Sequence, residues 1–255
     1  MNRIAGKSRV TKADANAKTV YIHRIKYDLK TGKSSIQSTL KKVDDTIPEE
    51  PNTKAVVDKW LSSLTEIVVG MGYDINRVLM ETKEPLICKE SEIRSRQTNF
   101  GTLTINAFEK VWPGADVYII NSGSMRLDDN IDGVVTEYDV LRTYPYGGDL
   151  KEIIIKGTDL KKILDIGLEK NIGEGGFFQV SEVEKEKGTW KINGQLLEAN
   201  KDYKMVLPGF VAGGGEANLG FMKSFKATGK DQLELNGKAV KNDIRDIVIN
   251  YMETL

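Results

Sequence analysis

The sequence predicts an α+β fold, a mixed α/β arrangement in which helices pack on a mixed sheet. Three observations lead there. Strand-like and helix-like runs interleave along the chain, which favours layers of helix on sheet. Several strands are joined by tight hairpin signals, so part of the sheet is antiparallel. Hydrophobic residues make up 40% of the 255 residues, enough for an ordinary core.

Residues 18 to 43 read as two strands around the turn Lys30-Thr31-Gly32-Lys33, with alternation of Val20 and Ile22 against Tyr21 and His23. Ile47-Pro48-Glu49-Glu50-Pro51-Asn52 is a loop and helix entry. Val56, Val57, Trp60, Leu61, Leu64, Ile67 and Val68 then recur at helical spacing until Gly70 and Gly72, an amphipathic helix expected to lie on a core. A second helix opens at Gln97, capped by Thr98 or Asn99, with Phe100, Leu103, Ala107, Phe108 and Val111 inward. Val117 to Ile120 reads as a buried strand, and Thr136 as the cap of a short helix through Leu141. Ile153-Ile154-Ile155 is a short strand, followed by a helix capped by Thr158 and running through Leu168. Phe177 to Val183 reads as one strand, Trp190 to Leu196 as a hairpin turning at Asn193-Gly194, and Tyr203 to Leu207 as the next strand. Ile244, Ile247, Val248, Tyr251 and Met252 mark a last amphipathic helix. Met1 to about Ala17, poor in apolar residues, is expected to be mobile or loosely packed.

Composition excludes several classes. Lys+Arg and Asp+Glu are both 37, so formal charge is zero and nothing points to a nucleic-acid groove. No apolar run approaches the roughly eighteen residues of a membrane span. Met1-Asn2-Arg3-Ile4-Ala5-Gly6-Lys7 has no apolar signal core. A single cysteine, Cys88, allows no intrachain disulfide or thiolate cluster. A single histidine, His23, sits in a strand pattern and reads as structural.

The chemistry-bearing residues lie in loops. Asn121-Ser122-Gly123-Ser124-Met125-Arg126 follows a buried strand. Strand ends are where ligand groups gather in α/β folds, and an Arg fork beside an amide suits hydroxyls or phosphates. Asn-Ser-Gly-Ser is also an ordinary turn. Gly213-Gly214-Gly215-Glu216 is not followed by Gly-Lys-Ser/Thr, and Gly173-Glu174-Gly175-Gly176 does not match the dinucleotide fingerprint.

Three further motifs accompany this one: Arg94-Ser95-Arg96-Gln97-Thr98-Asn99-Phe100-Gly101, Tyr144-Pro145-Tyr146-Gly147-Gly148, and Pro208-Gly209-Phe210-Val211-Ala212-Gly213-Gly214-Gly215-Glu216. With Gly176-Phe177-Phe178-Gln179-Val180-Ser181 between them, the ordered set resembles the C-terminal substrate-binding domain of the 5′-nucleotidase and UDP-sugar hydrolase family, over roughly residues 85 to 225.

That resemblance implies a division of the chain. Residues 1–45 would be the strand-rich end of a metallophosphoesterase domain, 46–75 an interdomain linker helix, and 76–255 the substrate-binding domain. The chain would then be part of a longer protein or a naturally shortened one.

The resemblance also implies roles. Tyr146 and Phe210 match the two rings that clamp a flat base, although the family usually has Phe at the first place. Arg94 and Arg126 match positions reaching phosphate or ribose oxygens, with a surface salt bridge as the plain alternative. Asn121 matches a position that hydrogen-bonds the base or its sugar. Glu216 stands where the family commonly has Asp accepting from ribose hydroxyls, so ribose contact is re-aimed or lost.

The expected function is nucleotide or nucleoside recognition for a metal-dependent phosphate-ester hydrolase. The expected partner is an N-terminal metallophosphoesterase domain carrying two divalent metals; no cofactor and no metal ligands are expected in this chain. By itself the chain is expected to be inactive in hydrolysis. The competing class is a non-catalytic nucleotide- or sugar-binding module. The family is often periplasmic or extracellular, and the sequence leaves the compartment open.

Overall fold

A computed structural model describes residues 2–6 and 8–255. The chain divides into two compact units, Met1–Ile67 and Val68–Leu255.

The first unit holds two antiparallel hairpins. Strands β1 (Asn2–Ala5) and β2 (Ser8–Thr11) form one, β3 (Thr19–Tyr27) and β4 (Ser34–Lys42) the other. The Asp28 carboxylate caps the second turn by accepting from the N–H groups of Lys30 at 2.8 Å and Thr31 at 3.1 Å. His23, in β3, has Ser38 Oγ 2.8 Å from Nδ1 and Thr11 Oγ1 3.2 Å from Nε2, and its ring stacks on Tyr21. The β1–β2 hairpin had no counterpart in the sequence reading, because its mostly exposed residues carry no apolar alternation.

Helix α1 (Pro51–Gly70) starts where the Glu50 carboxylate accepts from the N–H groups of Asn52 and Thr53. It forms as its periodicity requires, yet Val68 is its only buried residue, and Val56, Val57, Trp60 and Leu61 are exposed. Helical spacing marks an apolar stripe; it does not say what covers it.

The remaining elements belong to the second unit. They are β5 (Val78–Glu81), α2 (Glu90–Ile93), α3 (Asn99–Val111), β6 (Val117–Asn121), β7 (Val134–Thr136), α4 (Glu137–Thr143), β8 (Leu150–Lys156), α5 (Gly157–Asp165), β9 (Phe178–Val180), β10 (Val183–Glu186), β11 (Thr189–Ile192), β12 (Gln195–Leu196), β13 (Asp202–Pro208), α6 (Gly209–Ala212), β14 (Ala227–Gly229), β15 (Gln232–Leu235), β16 (Lys238–Lys241) and α7 (Ile244–Met252). The central sheet has five strands in the order β14-β8-β13-β6-β9. Only β13 and β6 run parallel; the other neighbours are antiparallel. The fold is therefore the mixed sheet with packed helices that the interleaved pattern predicts.

The core follows from side-chain period. Val117 and Ile119 of β6, Ile153 and Ile155 of β8, and Met205 and Leu207 of β13 pack with Leu160, Ile163 and Leu164 of α5. Their spacing of two residues puts each pair on one face of the sheet. Helix α3 packs against β6, β9 and α7. All five residues of β6 are buried, as its unbroken apolar run anticipates.

Caps and turns settle the ends. Thr98 caps α3 by accepting from Gly101 N–H at 3.1 Å, and Thr136 makes a full capping box with Asp139. Asn193 and Gly194 both take positive φ, 49° and 74°, as a primed two-residue turn demands.

Two boundaries differ from the sequence reading. Thr158 is not the cap of α5. Lys156 occupies that position without a side-chain bond, and the N–H groups of Gly157 and Thr158 donate to the carbonyls of Lys201 and Ala199 instead. Neighbouring backbone thus satisfies the helix start, which no local pattern could reveal. Phe177 to Val183 is not one strand either. Ser181 N–H bonds the Tyr118 carbonyl and Val183 N–H turns back to Ser181, so β9 joins the central sheet and β10 a separate three-stranded one.

Candidate functional site

Topology gathers the motif loops at one edge of the central sheet. Strands β6 and β13 run parallel, so Asn121 and the Pro208–Glu216 segment leave from the same side. Strands β8 and β9 run opposite to their neighbours, with Leu150 facing Pro208 and Phe178 facing Asn121. Their incoming loops, residues 144–149 and 171–177, therefore end at that same edge. Short backbone bonds join these loops. Gly209 N–H donates to Asp149 O at 2.8 Å, Gly123 N–H to Gly175 O at 2.6 Å, and Gly173 N–H to Arg94 O at 2.7 Å.

At this edge Asn121 is 2% exposed, and its side chain does not cap the turn that follows. Its Nδ2 donates to Glu216 Oε2 at 2.7 Å, while its Oδ1 accepts from Ser124 Oγ at 2.7 Å. Glu216 Oε1 accepts from the Ala217 N–H at 2.8 Å. The amide and the carboxylate foreseen as separate ligand groups are thus paired with each other.

Tyr146 is 73% exposed and Phe210 58% exposed, so neither ring plugs the core. Leaving large rings in water costs hydrophobic free energy that burial would recover. Each is set by glycines. The Phe210 ring lies on the backbone of Gly215, where a Cβ would fall 2.4 Å from its Cε2. Tyr146 is followed by Gly147 and Gly148 at φ 59° and 108°. Beneath that turn lies the Asp243–Arg245 ion pair at 2.8 Å, close enough that a Cβ on Gly147 would meet Arg245 Nη2 at 2.6 Å. Ile244 N–H donates to Gly148 O at 2.9 Å, so the start of α7 braces the loop.

The two cations differ. Arg126 has its guanidinium 5.9 Å from the centroid of the Tyr146 ring, within cation–π range. Arg94 pairs with Glu90 at 2.8 Å through one Nη, the plain ion pair one helical turn away, and its buried Nε has no hydrogen-bond partner. A buried donor left unpaired costs about 1–3 kcal/mol. Arg96 is a simple surface partner of Glu92 at 2.7 Å.

Gln179 carries the support beneath. It accepts from Thr98 N–H and donates to the carbonyls of Ile93 and Arg96, each at 2.8 Å. It thereby fixes the segment bearing Arg94. Sequence reasoning missed Asn171, Asp243 and Arg245 as parts of this edge. Only Asp243 left a local sign, a capping side chain before an apolar-periodic helix. Among the described residues no group of three or more His, Cys, Asp and Glu is placed to hold a metal ion.

Residues 78–227 match the family model described as "5′-nucleotidase, C-terminal domain". The chain belongs to this family. Every 5′-nucleotidase C-terminal motif named above lies inside the matched span. Protein UshA of Yersinia enterocolitica is 35% identical over 132 residues, 49% of this chain and 24% of that protein. The human 5′-nucleotidase is 24% identical over 204 residues, 68% of this chain and 34% of that protein. The 5′-nucleotidase precursor of Thermus thermophilus superposes with a TM-score of 0.69 at 19% identity, covering 93% of this chain and 47% of that one. The chain thus spans about a quarter of the first and a third of the second of these sequence relatives. In these relatives the C-terminal domain belongs with an N-terminal domain. Among the described residues no helix is long and apolar enough to cross a membrane.

Proposed function

We propose that this chain binds the nucleoside part of a nucleotide at the shared loop edge and presents its phosphate to a two-metal phosphoesterase domain. The observation that carries the reading is the pair of exposed rings, Tyr146 and Phe210, on loops joined by the Gly209–Asp149 bond. Arg126 lies 5.9 Å from the Tyr146 ring centroid, Glu216 follows the glycine under the Phe210 ring and pairs with Asn121, and the Arg94 carbonyl accepts from Gly173 N–H. Aromatic faces stack any base at about 1–3 kcal/mol each, and the amide and carboxylate suit sugar hydroxyls. The guanidinium groups of Arg94 and Arg126 suit phosphate oxygens.

Division of labour follows from this assignment. Two metals in the partner domain would supply phosphate polarisation and an activated water. This chain's residues hold and orient the substrate, which lowers the entropic part of the barrier.

Calorimetry with adenosine and AMP tests the binding half. Weak binding of both, with AMP tighter, is the expected result, and no binding of either overturns the reading. A phosphate-release assay tests the division of labour: AMP should persist with this chain alone. Chelator-sensitive hydrolysis by the pure chain would overturn that part, while nucleoside binding without turnover, even beside a two-metal domain, would favour a non-catalytic binding module.

A further inference from the structure

Asn171 is a buried polar residue, 1% exposed, that none of the roles above employs. It stands at the exit of α5, where residues Ile166–Lys170 widen into a π turn and Asn171 N–H donates to the Ile166 carbonyl at 2.9 Å. Such turns often mark functional positions, because they re-aim the residues that follow.

The side chain is fully engaged. Nδ2 donates to the carbonyls of Gly176 and Ala217, both at 3.2 Å, and Oδ1 accepts from Asn218 Nδ2 at 2.8 Å. One amide therefore ties the loop before β9 to the loop bearing Glu216. Only a neutral amide meets these partners, with two N–H donors on one side and an acceptor on the other. A carboxylate would face two carbonyl oxygens. The fit is close: a Cβ on Gly176 would fall 2.4 Å from Asn171 Nδ2 and 3.1 Å from Glu216 Cγ. The next bond outward, Gly123 N–H to Gly175 O, carries the tie to the turn beside Asn121.

We propose that Asn171 is the positioning residue that sets where Glu216 presents its carboxylate to the sugar hydroxyls of a bound nucleoside. The inference rests on the nucleoside reading given above. Asn171 acts through Glu216 and touches no ligand itself.

The test is calorimetry of adenosine against 2′,3′-dideoxyadenosine on the full chain and on folded variants checked by circular dichroism. Asn171→Asp reverses the two donor contacts. Asn218→Gly keeps the left-handed backbone at φ 64° and removes only the bond to Asn171 Oδ1, so it serves even where Asn171→Asp does not fold. The wild type should prefer adenosine by about tenfold, the scale of one hydrogen bond to a charged group. Both variants should bring that ratio toward one while leaving dideoxyadenosine affinity nearly unchanged. In a Glu216→Gln background, Asn171→Asp should add nothing further.

A folded variant that keeps the wild-type ratio overturns the proposal, as do additive losses in the double variant or a wild type indifferent to the hydroxyls. Phe210→Ala separates the two levels. If it weakens both ligands while the Asn171 variants change nothing, the site reading stands and the positioning role falls. If the wild type binds neither nucleoside, both fall.

Discussion

The amide of Asn121 and the carboxylate of Glu216 meet at 2.7 Å across 95 residues of chain. Each is a group suited to a sugar or base, and each satisfies the other where the two loops meet. A carboxylate one methylene shorter has less reach toward Asn121. On the proposed nucleoside reading, the longer side chain makes a contact that an incoming ligand would share or displace.

Glu216→Asp should break this pair with little effect on fold, since Glu216 stands on a loop. Nucleoside binding should tighten by about 1–1.5 kcal/mol, the scale of the hydrogen bond that no longer competes. Titration calorimetry with adenosine reads it. Weaker binding would mean that the pair organises the site rather than closing it.

Phe210→Ala should cost roughly 1–3 kcal/mol of nucleoside affinity, the range for one lost base stack. Thermal stability should change little, because the ring is 58% exposed. A folded variant with wild-type affinity would remove the main physical support of the recognition reading.

Arg94→Gln should weaken AMP more than adenosine, by about 1.5–3 kcal/mol against little change, because only AMP brings an anion to the guanidinium. Affinity for AMP should also fall with added salt, and the variant should show a shallower dependence. Equal losses for both ligands would assign Arg94 to loop structure through its bond with Glu90.

The Asp243 carboxyl gives a pH prediction. Burial raises its pKa, but hydrogen bonds from the Arg245 side chain and backbone outweigh burial, and it ends below its ordinary value of 3.8. A lowered folded pKa contributes stability that is present above the unfolded value and lost as pH falls through the folded one. Asp243→Asn should therefore cost about 1–3 kcal/mol at neutral pH, with the gap to wild type closing below about pH 4. Denaturant titrations at several pH values measure it. A gap unchanged at acid pH would show that the pair with Arg245 adds no net stability. The Tyr146 loop should loosen in the same variant, because the pair lies beneath Gly147.

Much of the architecture was legible in local chemistry. The apolar run of β6, the caps Thr98 and Thr136, and the Asn193-Gly194 turn each depend on neighbours a few residues away, so the sequence alone determined them. The family was legible in the order of the loop motifs, all of which lie inside the matched residues 78–227. The exposure of Tyr146 and Phe210 was legible too, because rings on Gly-rich loops fill no strand or helix face. Tertiary structure decided what depends on distant partners. Lys201 and Ala199 start α5 in place of a Thr158 cap, and Ser181 N–H carries the pairing with β6 on to Tyr118 before Val183 N–H turns back to Ser181 and ends the run. Whether Val56, Trp60 and Leu61 are covered is not written in their spacing, nor are the bond from Asn171 to Ala217 and the place of the Asp243–Arg245 pair beneath Gly147. A hydrogen bond between residues 46 or 95 positions apart leaves no periodicity to read. Its geometry exists only once the parallel pairing of β6 and β13 has brought the loops to one edge.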